Sequence, residues 1–231
     1  MRKNTISFRT KLLNTLKILK DILPHTIIIG SEVPNLIRIN KKVDLFVSED
    51  IDVGIPVLKF KIIKSGIKRL LKKYYVSRDE PSILCPKTNE LLEINFLGID
   101  KNLDDLDDVY IFRDGLVSFI VFGTLSLIKG KKVSINGMKV ILAEPASLLV
   151  EKLLTERSHI KGERDIIVAG LLLEVIDIKK EMKHILAMIN ALNKDKRYLI
   201  QDNLSTLILI TESRKYDFNT KKMKRLLAGL K

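Results

Sequence analysis

The first hundred residues contain a short ordered set of side chains that could bind a cation and a phosphate group. Asp50 and Asp52 are separated by one residue in the strand-like segment SEDIDVGI. Because residues i and i+2 of a strand project from the same face, their carboxylates would lie side by side. Such a pair suits a hard cation such as Mg²⁺, which combines few carboxylates with substrate phosphate oxygens. The acid pair therefore predicts a divalent cation site.

A third acid and a Gly-Ser pair complete the set. Glu93 lies in the segment LLEINFLG, on the face opposite its apolar neighbours, and could supply a third ligand. Two ions held by such acids can stabilise both the attacking and the leaving oxygen of a nucleotidyl displacement. Gly30 would let the backbone approach a triphosphate, and Ser31 with the helix behind it would donate hydrogen bonds to phosphate oxygens.

Each of these features also has a structural interpretation. The acid pair is compatible with the solvent-facing edge of a strand, and Gly30-Ser31 with a strand exit followed by a helix N-cap. Asp44 lies closer to the Gly-Ser pair, but Lys42 two residues earlier removes the second acid. The order of the features along the chain favours the catalytic interpretation.

The elements that must position these residues follow from hydrophobic periodicity and from Gly and Pro. Pro34 is expected in the first turn of the helix that Ser31 opens, and Asn136-Gly137 predicts a tight hairpin. The remaining predictions are a helix over Phe8–Leu23 ended by Pro24, strands over Thr26–Gly30, Ile51–Ile55, Ser82–Pro86 and Glu90–Leu97, a Lys-rich helix over Leu58–Tyr75, and an acidic loop or helix start over Asp100–Asp108.

The pattern becomes helical throughout from Glu144-Pro145 onward. Helices are expected in ASLLVEKLL, DIIVAGLLLEVI and EMKHILAMINAL, with a last basic helix near residues 221–230. The sequence thus predicts an α/β (α+β) core with a mixed sheet over residues 1–143, followed by a helical domain over residues 144–231.

Composition limits the classes of protein. One cysteine and three histidines exclude an intramolecular disulfide framework and a Cys/His zinc site, and fit a reducing, cytoplasmic compartment. No signal peptide is visible, and the longest nearly uncharged apolar stretch, Leu116–Ile128, is short of the roughly 20 residues of a membrane span. A soluble protein without a membrane partner is expected.

The formal net charge of +13 would attract polyanions, or it reflects the bias of a Lys-rich composition. A cluster of cations near the C-terminus could hold an RNA or DNA backbone or form a solvated helix face. Tyr74-Tyr75 could stack on a base or close the edge of the core. The cluster consists of Lys221, Lys222, Lys224 and Arg225.

Three segments, IIIGS, SEDIDVGI and LLEINFLG, resemble the signature of the nucleotidyltransferase superfamily, whose fold is shared with DNA polymerase β. That signature is a strand ending in Gly-Ser or Gly-Gly, then Asp-x-Asp, then an acid on a neighbouring strand. The later segment EPASLLVEKLLTERSHIKGERDIIVAGLLL is similar to bacterial toxin-type members of abortive-infection systems. The resemblance covers roughly residues 26–175.

The resemblance implies Mg²⁺- or Mn²⁺-dependent transfer of a nucleoside monophosphate from an NTP such as ATP. Asp50, Asp52 and Glu93 would be the catalytic, metal-binding acids, and Gly30 and Ser31 would hold the triphosphate. Lys152 would neutralise phosphate charge, with Asp165 positioning it. The acceptor hydroxyl could belong to RNA, including tRNA, a protein or a small molecule, and an antitoxin-like protein is a candidate partner.

One departure from the pattern leaves a second function open. In related sequences the third acid can fall at the position that Asn95 occupies here, on the same side of the strand as Glu93. A site without that acid would belong to an inactive nucleotidyltransferase-like protein that binds nucleic acid or a partner through its basic surface. Lys152 and Asp165 also allow a simpler role as charged residues on helix faces.

Overall fold

The structure is a computed structural model that describes residues 6–101, 109–113, 117–154, 160–213 and 216–230. The chain divides into two compact units. The first contains the described residues up to Ser126 together with Gly130–Ala143, and the second contains Leu127–Lys129 and the described residues from Glu144 onward. The short segment belongs to the second unit because the Lys129 N–H donates to Ser147 Oγ at 3.0 Å and its carbonyl accepts from the Glu144 N–H at 2.7 Å.

In its described residues, the first unit contains the sheet and three α-helices. Its strands are β1 Ile27–Ile29, β2 Asp50–Pro56, β3 Tyr74–Val76, β4 Ile83–Pro86, β5 Glu93–Ile99, β6 Val109–Arg113, β7 Ser118–Phe122, β8 Gly130–Ile135 and β9 Met138–Ala143, and its helices are α1 Phe8–Leu19, α2 Glu32–Ile37 and α3 Phe60–Leu70. Residues 102–108 of the predicted acidic loop lie outside the described part of the chain.

Two predicted helices end earlier than expected. Helix α1 stops at Leu19, and Pro24 lies in a following 3-10 turn. Helix α3 stops at Leu70, and Tyr74 begins strand β3, so the predicted helix over Leu58–Tyr75 is wrong at its end. Tyrosine favours strands, and the pairing of β3 with β4 makes this segment a strand and not the last turn of a helix.

The sheet has the order β3-β4-β5-β2-β1-β9-β8, with β7 paired to β5 and β6 to β7. Strand β2 runs parallel to β5 and antiparallel to β1, and β1 runs parallel to β9, so the sheet is mixed as predicted. The predicted hairpin is confirmed between β8 and β9, where Asn136 and Gly137 have φ values of 47° and 79°. Two consecutive positive φ angles are the requirement of the type I′ turn that favours Asn-Gly.

Alternation along β2 and β5 decides which face carries the polar residues. Ile51, Val53, Ile94 and Phe96 are completely buried and belong to the main hydrophobic core. That core also contains three leucines of α1 and three apolar residues of α3, namely Leu12, Leu16, Leu19, Ile63, Ile67 and Leu70. Because side chains alternate along a strand, the residues between these apolar positions project from the opposite face, which is the face with the predicted acids.

The second unit is helical. Its helices are α4 Pro145–Leu153, α5 Ile160–Val175, α6 Ile178–Asn190, α7 Lys194–Glu212 and α8 Thr220–Gly229. Helix α7 was not predicted as a separate element. The predicted helices that correspond to α4, α5, α6 and α8 are present. Among the described helices, none combines the length and apolarity needed to cross a bilayer. The predicted class, a mixed α/β core followed by a helical C-terminal part, is confirmed.

Candidate active site

The predicted acids meet across the parallel pair of strands β2 and β5. Asp50 lies opposite Glu93, and Asp52 lies opposite Asn95, in one continuous register. All four side chains are partly exposed, while the residues between them are buried. The structure therefore brings Asp50, Asp52 and Glu93 onto one face at neighbouring positions.

Short hydrogen bonds hold the acid pair. The Ser48 hydroxyl donates to Asp50 Oδ1 at 2.7 Å. The Asn95 amide donates to Asp52 Oδ1 at 2.9 Å and accepts from the Ser82 hydroxyl at 3.2 Å. Asn95 thus supplies Asp52 with a neutral donor and fixes the orientation of its carboxylate.

Gly30 makes the close approach of Asp52 possible. Its φ of +76° lies in the region that L side chains rarely adopt, and a Cβ added there would lie 2.4 Å from Asp52 Oδ2. Gly30 therefore permits the backbone turn after β1 and leaves room for the carboxylate. The structure shows the close approach of this glycine to the acid, and its approach to a triphosphate stays a prediction.

Ser31 differs from its predicted role. It occupies the N-cap position of α2, but its side chain makes no capping hydrogen bond. Its hydroxyl instead contacts Glu32, with Oγ 2.9 Å from Oε1 and 3.1 Å from Oε2. The prediction of Pro34 in the first turn of α2 is correct.

Glu32 is a residue of this site that the sequence reasoning missed. It is completely buried. Burial raises its pKa well above the ordinary value, and the nearby carboxylates of Asp52 and Asp50 raise it further, whereas the bond from Ser31 lowers it. An acid directly after the Gly-Ser pair was the available signal, but only the tertiary structure shows its carboxyl among the predicted acids.

Glu32 makes the stability of the protein depend on pH. Since its pKa is higher in the folded than in the unfolded chain, the folded state binds more protons between these values, and stability falls as pH rises through this range from about 4.5. We expect Glu32→Gln to raise the free energy of unfolding at pH 7.5 by about 1 kcal/mol or more, since a neutral amide avoids the cost of ionising or protonating a buried carboxyl at that pH.

Urea unfolding in EDTA at pH 4.5, 6 and 7.5 measures this effect. The decline with rising pH should be shallower in Glu32→Gln than in the wild type. Glu49→Gln changes an exposed acid of the same region and serves as the matched control. Parallel pH profiles for the wild type and Glu32→Gln would contradict the assignment.

Glu93 also contacts Cys85 of β4, on the side away from β2. Burial raises its pKa, a hydrogen bond from the Cys85 thiol lowers it, and the charges of Asp50, Glu49 and Glu80 raise it. Within the described ranges, no three His, Cys, Asp or Glu side chains form a ready-made metal group. The predicted acids are therefore neighbours in the sheet and not a preassembled three-ligand cage.

In the second unit, the other two predicted site residues form an ion pair. Lys152 Nζ lies 3.0 Å from Asp165 Oδ1 and 3.3 Å from Glu151 Oε2. The side chains of Lys152, Asp165 and Glu151 are only 13%, 15% and 8% exposed. The predicted pairing of Lys152 with Asp165 is present, while Arg164 beside it is exposed.

The basic C-terminal cluster does not act as one solvated face. Lys222 Nζ donates to the carbonyls of Leu173, Glu174 and Ile176 at 2.7, 3.2 and 3.0 Å, so it caps the end of α5. Lys224 forms an ion pair with Glu212. Lys221 and Arg225 are exposed. The interpretation as a solvated helix face is therefore wrong at Lys222, and binding of a nucleic acid backbone by the cluster stays a prediction.

Comparisons with known proteins give little beyond this geometry. No protein-family model and no curated protein matches the chain. A solved structure described as an antigenic nucleotidyltransferase-like protein from Paracoccidioides brasiliensis is similar, with a TM-score of 0.46 and 15% identity over 95% of this chain and 94% of that chain. At this level of similarity, the chemistry of the present chain is inferred from its own residues.

Proposed function

We propose that the chain is a metal-dependent nucleotidyltransferase of the polymerase β-like superfamily. It would transfer a nucleoside monophosphate from an NTP to an acceptor hydroxyl and release pyrophosphate. The observation that carries the proposal is the register of β2 and β5, in which Asp50 and Asp52 share one face with Glu93 beside Asp50. The close approach of Gly30 to Asp52 supports the proposal, because it places the end of β1 beside the acid pair.

The donor set fits a hard divalent cation. Asp50 and Asp52 offer carboxylate oxygens, and the buried Glu32 lies in their negative field. A divalent ion would relieve the repulsion among these acids, and it needs only one or two protein carboxylates when substrate phosphates and water supply the other ligands. When bound, Mg²⁺ or Mn²⁺ would supply electrostatic stabilisation of the phosphate oxygens during the displacement.

The chain's own residues would orient the acids and the substrate. Asn95 holds Asp52 through a hydrogen bond of 2.9 Å, and Ser48 holds Asp50 through one of 2.7 Å. Glu93 would act as the third acid beside Asp50. Gly30 would keep the backbone clear for the triphosphate, and Ser31 would turn its hydroxyl from Glu32 to a phosphate oxygen.

The direct test is transfer of label from nucleotides. Purified protein is incubated with each of four α-labelled NTPs and Mg²⁺ or Mn²⁺, with and without total RNA. We expect divalent-dependent incorporation of label into RNA, into the protein or into an added small-molecule acceptor. Absence of both transfer and NTP binding by calorimetry would overturn the proposal.

One observation favours a second candidate, a nucleotidyltransferase-like binding protein without activity. The position beside Asp52 is filled by the neutral Asn95, whose amide already occupies one oxygen of that carboxylate. An inactive protein would bind nucleic acid in a salt-sensitive manner, and that complex would survive Asp50→Ala. Label transfer that depends on Asp50 would exclude this candidate.

A further inference from the structure

A row of side chains crosses four strands of the first unit and ends at the predicted acids. Tyr75 of β3 lies opposite Cys85 of β4, and Glu93 of β5 lies opposite Asp50 of β2. The pairing of Leu84 with Ile94 places Cys85 next to Glu93, and a hydrogen bond joins the thiol to that carboxylate. Residues opposite one another in a sheet point to the same face. Tyr75 therefore shares the face of the acids.

The spacing of the strands sets the length of this row. Neighbouring strands lie about 4.8 Å apart, so three steps place the backbone of Tyr75 about 14 Å from that of Asp50. The Tyr75 side chain is 55% exposed, whereas Tyr74 beside it is 1% exposed and donates to the Leu92 carbonyl at 3.2 Å. Tyr74 therefore closes the edge of the core, and Tyr75 presents its ring to solvent.

The segment that leads to Tyr75 is strongly basic. Residues 53–78 contain eight Lys and Arg and no Asp or Glu. Lys72 and Lys73 are exposed in the turn between α3 and β3. Two hydrogen bonds fix this turn, since Lys87 donates its backbone N–H to the Lys73 carbonyl and its ammonium to the Leu71 carbonyl, both at 2.9 Å. The two lysines are thus held at the start of β3.

Strand directions place these lysines at the same end of the sheet as the acids. Strand β3 is antiparallel to β4, β4 is antiparallel to β5, and β5 is parallel to β2. Strands β3 and β2 therefore run in the same direction, so both begin at one end of the sheet. Lys72 and Lys73 directly precede β3, and Asp50 is the first residue of β2.

We propose that Lys72, Lys73 and Tyr75 form the acceptor-strand surface, which binds the end of a single-stranded nucleic acid and directs its terminal hydroxyl along the row toward Asp50. This inference rests on the proposed function and names its acceptor class. The lysines neutralise backbone phosphates, and the exposed ring stacks on a base.

Fluorescence anisotropy in EDTA tests the surface without requiring catalysis. The probes are labelled twelve-residue single strands of RNA and of DNA with the same base sequence. We expect Tyr75→Ala to weaken binding about tenfold or more and Tyr75→Phe to retain it, since stacking needs the ring and not the hydroxyl. The paired change Lys72→Ala and Lys73→Ala should reduce the slope of log K against log salt by about 1.4, or about 0.7 for each lost phosphate contact.

Matched controls separate this surface from general basicity. Tyr198→Ala removes a tyrosine of the helical unit that is 56% exposed, and Lys131→Ala with Lys132→Ala removes two exposed lysines of β8. Both should change binding less than twofold. Equal losses in these controls, or no binding of either strand by the wild type, would overturn the inference.

Failure of the inference and failure of the proposed function are distinguishable. Strand binding by the wild type without any label transfer would keep the surface and remove the proposed function. Label transfer to RNA that persists unchanged in Tyr75→Ala would keep the function and remove this surface as the acceptor site. Unequal affinity for the RNA and DNA probes identifies which of the two is the acceptor.

Discussion

Asp52→Asn is expected to lower the rate of nucleotidyl transfer by about 10³-fold or more, and Asp50→Asn to have a similar effect. Each change removes one negative charge from the proposed cation site, and metal stabilisation of a phosphoryl transition state is worth several kcal/mol. The substitution keeps the size of the side chain, so the hydrogen bonds to Asn95 and Ser48 retain an acceptor oxygen. The rate of label transfer from an α-labelled NTP at saturating Mg²⁺ measures this effect.

The same series includes Asp44→Asn as the matched control. Asp44 is an exposed acid that precedes the pair by six residues, and Lys42 two residues before it leaves it without a second acid. Its replacement should leave transfer within about twofold of the wild type, since an isolated surface charge contributes little. Thermal unfolding of all three variants confirms that the fold is retained. Full activity of a folded Asp52→Asn protein would remove the acid pair from the mechanism.

Gly30→Ala is expected to reduce transfer by about 10²-fold with an additional loss of stability. The new Cβ would lie 2.4 Å from Asp52 Oδ2, so the carboxylate must move from its hydrogen bond with Asn95. Displacement of a catalytic group by about 1 Å can cost a factor of about 10² in rate. A positive φ adds about 1 kcal/mol of backbone strain for alanine.

Gly137→Ala isolates the contribution of the backbone. Gly137 has a φ of +79°, nearly equal to the +76° of Gly30, but a Cβ there would meet no atom within 4 Å. Urea unfolding should show a loss of about 1 kcal/mol in this variant, with unchanged transfer. If Gly137→Ala and Gly30→Ala lose equal stability and keep equal activity, the close approach to Asp52 has no functional role.

The sequence predicts the positions of the acids well because their signal is local. In β2 and β5, alternation of apolar and polar residues is enough to place Asp50, Asp52, Glu93 and Asn95 on one face. The Asn136-Gly137 turn is equally local, because two residues with positive φ specify it. Such features depend on one or two neighbouring elements and are visible without a tertiary structure.

Other features escape local reasoning because they depend on burial or on contacts between residues that are distant in the chain. Ser31 has the residue type of an N-cap, yet its hydroxyl contacts Glu32, whose carboxyl is buried beside the acids of β2. Lys222 lies in a segment whose composition is typical of a solvated helix. Its ammonium nevertheless binds the carbonyls at the end of α5, 46 to 49 residues earlier in the chain. Neither contact has a periodic signal.

Local sequence patterns are sufficient to predict the order of sheet and helices, the paired acids and the glycine that precedes them, because periodicity, φ preference and charge are properties of short segments. Which residues meet depends on the assembled fold. The register between β2 and β5 placed Glu93 beside Asp50 and Asn95 beside Asp52, and the pairing through β4 placed Tyr75 in the same row. Register is fixed by long-range hydrogen bonds and by burial of one whole face, so it is a property of the assembled sheet.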